Sequence, residues 1–184
     1  TGYYLNIAAT AFDDSSGNSY AGITNATTLN FTTADVNAPT LSSSTPADGA
    51  TAVAVDANIV LTFNEAVDVE SGNITLKKSS DDSTVETIAV TDSKITGTGT
   101  NQITINPSST LASSTGYYLN IAATAFDDSS GNSYAGITNA TTLNFTSADV
   151  NAPTLSSSTP ADGATGVAVD ANIVLTFNEA VDVE

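Results

Sequence analysis

The feature that most constrains this chain is that it repeats itself. Residues Thr1–Glu70 recur as Thr115–Glu184, an offset of 114 residues, and only two positions change: Ser147 stands for Thr33 and Gly166 for Ala52. Solenoids repeat about every 20 to 50 residues and build one continuous core from neighbouring turns. A period of 114 residues is too long for that and matches the size of an independent domain. Each unit should therefore be a bead with its own core. The junction between beads is sought where regular structure cannot continue. The segment Ala34–Thr40 (ADVNAPT), repeated at Ala148–Thr154, fits, because Pro39 has no N–H and forces Ala38 to be extended. Cutting there predicts three pieces: residues 1–35 as the C-terminal part of a preceding repeat, 36–149 as one complete repeat, and 150–184 as the N-terminal part of a following repeat. The chain is read as a window on a longer tandem array, with neighbouring repeats as its direct partners.

Within the complete unit the apolar period is two. Ile59, Leu61 and Phe63 alternate with Asn58, Val60 and Thr62; Ile74 with Leu76, Ile88 with Val90, Ile103 with Ile105, Leu119 with Ile121, and Leu143 with Phe145 repeat the spacing. Between them lie turn clusters at Pro46–Gly49, Ser79–Ser83, Gly97–Thr100 and Asp127–Gly131. About seven short strands separated by such turns predict an all-β fold, an immunoglobulin-like antiparallel β-sandwich. Of each adjacent tyrosine pair, such as Tyr117 and Tyr118, alternation sends one ring into the core and one outward.

Charge narrows the function. The chain carries 20 acidic and three basic side chains, with no His, Cys, Met or Trp. Without imidazole or thiolate there is no Ser-His or Cys-His nucleophile and no ordinary zinc or haem site. A net charge of -17 repels phosphate backbones and anionic headgroups, so nucleic acid is excluded as a partner. No apolar run approaches the roughly 20 residues of a membrane span, so direct membrane insertion is not expected. Cations are the natural partners.

Pro39–Asp68 (PTLSSSTPADGATAVAVDANIVLTFNEAVD), Phe126–Gly136 (FDDSSGNSYAG) and the closing TLNFT resemble the bacterial immunoglobulin-like repeats of large surface proteins. They are most similar to the extender repeats of giant RTX adhesins, including an ice-binding adhesin. That resemblance implies calcium-dependent spacers, secreted to the bacterial cell surface and used in adhesion and biofilms. The adhesin's ligand would be bound by domains outside this fragment.

The topology indicates where calcium would sit. Calcium takes six to eight oxygens, more than one loop usually supplies. In an immunoglobulin-like sandwich the entering chain, the loop after the second strand and the loop between the last two strands share one end. That end should gather Asp35 and Asn37 from the linker, Glu65 and Asp68 after the second strand, and Asp127, Asp128 and Asn132 from the last hairpin. Their counterparts one period away are Asp13, Asp14, Asn18, Asp149, Asn151 and Glu179. Asp48, Asp81 and Asp82 are read instead as ordinary turn residues.

The function expected is a structural spacer stiffened by calcium at its linkers. The alternatives are a glycan- or protein-binding module using loops or an edge strand, and an S-layer or cell-wall building block. An enzyme is not expected. Paired carboxylates suit glycoside hydrolysis, but no single pair stands out and no Trp offers a sugar platform.

Overall fold

A computed structural model describes residues 1–183, and its regular structure is all strand. The preceding partial repeat contributes β1 (Gly2–Tyr4) and β2 (Asn30–Thr32). The central unit holds β3 (Leu41–Thr45), β4 (Ala50–Val53), β5 (Ile59–Val69), β6 (Asn73–Lys78), β7 (Thr84–Ala89), β8 (Ile95–Thr96), β9 (Thr100–Ile105), β10 (Gly116–Ile121), β11 (Phe126–Asp127) and β12 (Asn144–Ser147). The following partial repeat contributes β13 (Leu155–Thr159) and β14 (Val174–Phe177).

Two sheets make the central sandwich. One runs β4-β12-β10-β6-β7; the other runs β11-β5-β9-β8, with β3 pairing β5 as well. All pairings are antiparallel except β4 with β12. Leu61, Phe63, Ile103, Ile105, Ile74, Leu76, Leu119 and Ile121 are all at most 2 % exposed, so the period-two apolar rows fill the space between the sheets. Tyr117 enters this core, where its hydroxyl oxygen accepts the Ala112 N–H (2.8 Å). Tyr118 points the other way and is nonetheless buried: Lys77 lies 5.6 Å over its ring and its hydroxyl donates to Asp82 Oδ1.

The unit has more strands than the expected seven because its edges are broken. Pro46, with no N–H to continue a ladder, ends β3 in one sheet, and the chain crosses to the other sheet as β4. Asp48 in this crossover is more than a turn residue, since its Oδ1 accepts both the N–H and the Nδ2 of Asn144 at the start of β12 (3.0 and 2.7 Å). Asp81 does behave as a turn residue, accepting the N–H and hydroxyl of Ser83. The two-residue strands β8 and β11 are too short to leave an alternation signal.

The partial repeats supply an internal control on burial. β1 pairs β2 through Tyr3↔Phe31, the register in which β10 pairs β12 through Tyr117↔Phe145. Yet Tyr3 and Phe31 are 49 % and 57 % exposed, against 1 % and 3 % for Tyr117 and Phe145. β13 and β14 likewise repeat the Leu41↔Phe63 pairing of β3 with β5 as Leu155↔Phe177. Identical sequence reproduces the pairing, while burial needs the facing sheet.

Two substitutions test this. Leu119→Ala should cost about 2–5 kcal/mol by denaturant unfolding, whereas Leu5→Ala, the same residue one period earlier, should stay within about 0.5 kcal/mol. Ala52 has φ 55 where its counterpart Gly166 has φ 69. A Cβ is disfavoured there, so Ala52→Gly should stabilise the central unit by about 1 kcal/mol, read as a rise in denaturation midpoint.

Candidate metal centre

Three segments meet at one end of the sandwich, and the core beneath them holds them there. Phe63 packs edge-on against Phe126 and Tyr134, with centroids 5.5 and 5.2 Å apart. Glu65 follows Phe63 by two residues and Asp128 follows Phe126 by two. The aromatic contact therefore fixes the roots of both acids.

Glu65 lies where β5 and β9 lose register, between Thr62 and Val67. Strict alternation with Phe63 and Val67 would turn it into the core; the irregularity leaves it half-buried at the edge, a common use of a bulge. Its neighbour Asn64 pins the linker: Asn64 Oδ1 accepts the Thr40 N–H (2.6 Å), and the Asn64 N–H donates to the Thr40 carbonyl (3.0 Å). The linker is thus laid along β5 before β3 begins.

The Asp128 loop organises itself. Asp128 Oδ1 accepts the N–H groups of Ser130 and Asn132, and its Oδ2 accepts Asn132 Nδ2, each at 2.8 Å. The Asn132 side-chain amide and backbone N–H, followed by the Ser130 N–H, hold the Asp128 carboxyl below the usual aspartate range. The same loop in the first repeat shows the same bonds from Ser16 and Asn18 to Asp14, and the Asp14 carboxyl is lowered chiefly by Asn18. Asp14 is exposed while Asp128 is only 5 % exposed, so the loop geometry is local and its burial is not.

Asn132 Nδ2 also donates to the Asp35 carbonyl at 3.3 Å, joining loop to linker. Asp35, Glu65 and Asp128 then each offer a carboxylate oxygen, all within 4.8 Å of one another. No lysine neutralises them: the ion pair found among the described residues is Lys94 with Glu86 (2.7 Å), elsewhere in the unit. Three like charges this close repel one another and favour a counter-ion. An all-oxygen donor set from three separate segments suits a hard cation such as calcium.

The remaining expected residues fall around this group. Asn37 folds back so that its N–H and Nδ2 donate to Asp35 Oδ1 (3.0 and 3.2 Å). Asp68 and Asp127 are cross-strand partners in the β5–β11 pair, outside the group of three, with the Thr98 hydroxyl donating to Asp68. Asp13, Asp14 and Asn18 form the loop without a linker or glutamate beside it. Asp149 accepts the Ser113 hydroxyl and the Asn151 N–H, and one carboxylate oxygen of Glu179 is sheltered with no hydrogen-bond partner. Sequence reasoning missed Asn64 and Ser113. Asn64 carried a faint signal, a polar residue beside an acid inside an apolar strand. Ser113 carried none.

The chain matches the family model for the bacterial Ig-like domain over residues 35–147 and again over 149–184. No curated protein matches it. Among solved structures it is similar to the S-layer protein rSbsC at 14 % identity and a TM-score of 0.41, covering 66 % of this chain and 16 % of that one. The chain thus spans a small fraction of that protein's length, and a likeness this slight carries no argument about function.

Lowered carboxyl pKa values have a definite sign in stability. The folded Asp128 group releases its proton more readily than the unfolded one, so its contribution is present above the unfolded value and lost as pH falls through the lowered folded value. Asn132→Ala should therefore move the Asp128 midpoint up toward an ordinary aspartate, and Asn18→Ala should do the same for Asp14. Carbon-detected NMR titration of the carboxyl groups in metal-free buffer measures both.

Proposed function

The chain belongs to the bacterial Ig-like domain family, and from that premise we propose that it is a structural extender, a run of beads in a large bacterial surface adhesin that calcium makes rigid. The observation that carries this reading is the convergence of the linker's Asp35 with Glu65 and Asp128 of the bead that follows. Linker flexibility decides whether an array of beads is a chain or a rod. A cation held jointly by linker and bead removes freedom at that position.

In this reading calcium supplies a positive charge that the three carboxylates share. Asp35, Glu65 and Asp128 would hold it, and a hard cation of this kind would take its further oxygens from other donors. The work of the protein's own residues is positional. Asn64 holds the linker against β5, Asn132 ties the Asp128 loop to the linker carbonyl, and Asn37 orients Asp35. Binding to the folded state alone raises stability by about 2.7 kcal/mol when the free ion is 100-fold above its Kd.

Near-identical repetition favours a spacer over a recognition module, because a binding surface usually varies its loops over a constant core. Here the loops repeat unchanged: Phe126–Gly136 is identical to Phe12–Gly22. Strands of about 20 Å plus loops give a rise of roughly 40 Å per bead, so repetition converts directly into reach. The RTX-adhesin placement, the extracellular location and a distal ligand-binding domain belong to this proposal through the sequence resemblance.

Calcium should raise the melting temperature of the chain and lengthen it in small-angle scattering, and chelator should reverse both. Glu65→Gln and Asp128→Asn should each remove most of the calcium-dependent increment. Identical melting and scattering in calcium and in chelator would rule the stiffening mechanism out.

A further inference from the structure

The linker occurs twice in this chain, and the two occurrences show its opposite sides. At 34–40 the following bead is complete; at 148–154 the preceding bead is complete. The residues are the same seven, ADVNAPT. The contacts of Asp35 and of Asp149 therefore describe one joint seen from its two ends.

From the following bead, the Asn132 amide donates to the linker aspartate's carbonyl (3.3 Å), and Asn64 holds Thr40. From the preceding bead, a different set of atoms is engaged. The Ala148 N–H donates to the Val53 carbonyl (2.7 Å) and the Ser114 N–H to the Ala148 carbonyl (3.1 Å), which brings the chain out along β4. The Ser113 hydroxyl then donates to Asp149 Oδ1 (2.8 Å) and accepts the Val150 N–H (2.9 Å). A hydroxyl can do both at once, and no apolar side chain can do either.

The two sets are compatible. Ser113 uses the carboxylate Oδ1, the oxygen that also accepts the N–H of the residue two positions on (Asn37 for Asp35, Asn151 for Asp149), whereas Asn132 uses the backbone carbonyl, so the two beads do not compete for one atom. We infer that consecutive beads are clasped through a single residue, the linker aspartate, with the Ser113 hydroxyl of the preceding bead holding its carboxylate and the Asn132 amide of the following bead holding its carbonyl. The partner surface is the neighbouring bead of the same chain. The inference rests on the tandem-array reading but not on calcium. Ser113 is a positioning residue in it, since its hydroxyl sets the direction of the linker carboxylate.

Amide exchange in the full chain tests the clasp. Ser113→Ala should speed exchange at Val150 about two- to tenfold, the weight of one hydrogen bond, equally in calcium and in chelator. Ser113→Thr keeps the hydroxyl and should restore protection, while Glu65→Gln should leave Val150 unchanged. In a chain lengthened by one more 114-residue copy, Ser113→Ala in the first complete bead should shorten the scattering dimension in both conditions. Unchanged Val150 exchange in Ser113→Ala, or failure of Ser113→Thr to restore it, would overturn the clasp. A clasp that responds as described while calcium changes nothing would instead remove the metal from the proposed function and leave the joint standing.

Discussion

The contact of Phe63 with Phe126 and Tyr134 is the interaction on which the rest of this molecule depends. It closes the core at one end, and it places the two segments that carry Glu65 and Asp128 side by side. Aromatic rings bury large apolar areas and prefer edge-on geometry, so this contact sets both distance and direction. The polar end is built outward from it within two residues on each strand. Stability and the acidic cluster are consequently one problem: the core defends an arrangement of charges that would separate if left to themselves.

The charges are handled at two levels. Asp128 is reconciled with burial by its own loop, whose N–H groups and Asn132 amide satisfy it without help from the rest of the fold. Glu65 and Asp35 have no comparable local shell: Glu65 meets the Asn64 amide at 3.3 Å and Asp35 meets Asn37. The three acids thus meet as one preorganised group and two less constrained ones. Under the proposed function, such a site would be ordered on one side before a cation arrives, with the linker as the component whose freedom changes. That division suits a joint better than a catalytic pocket, which needs all its groups held in advance.

Repetition gives the same residue two neighbours. In the inferred clasp the linker aspartate reaches back through its carboxylate, as Asp149 does to Ser113, and forward through its carbonyl, as Asp35 does to Asn132, so each bead would present a donor at both ends. A unit of this kind can be multiplied without redesign, because every interface is the same interface. The two departures from identity fall at positions with different local settings. Gly166 replaces Ala52 at a left-handed backbone position, and Ser147, buried with its hydroxyl donating to the Ala112 carbonyl (2.6 Å), occupies the position that Thr33 fills exposed.

The amino-acid sequence by itself determined the 114-residue period, the strand character of the apolar rows, and the structure of the DDSSGN loop, which forms alike around Asp14 and Asp128. These rest on period-two alternation and on hydrogen bonds spanning four residues or fewer, and such interactions are complete within a short stretch of chain. The pairing of β1 with β2 in the register of β10 with β12 joins segments about 30 residues apart, and it forms without a facing sheet. Only the tertiary structure decided which acids converge, that Asp68 and Asp127 face each other across strands instead, that Asp48 clasps Asn144, and that Ser113 grips the linker. Those contacts join segments 30 to about 100 residues apart, and the packing of two complete sheets brings them together. The same packing explains why Tyr117 is buried and Tyr3, its identical counterpart, is not.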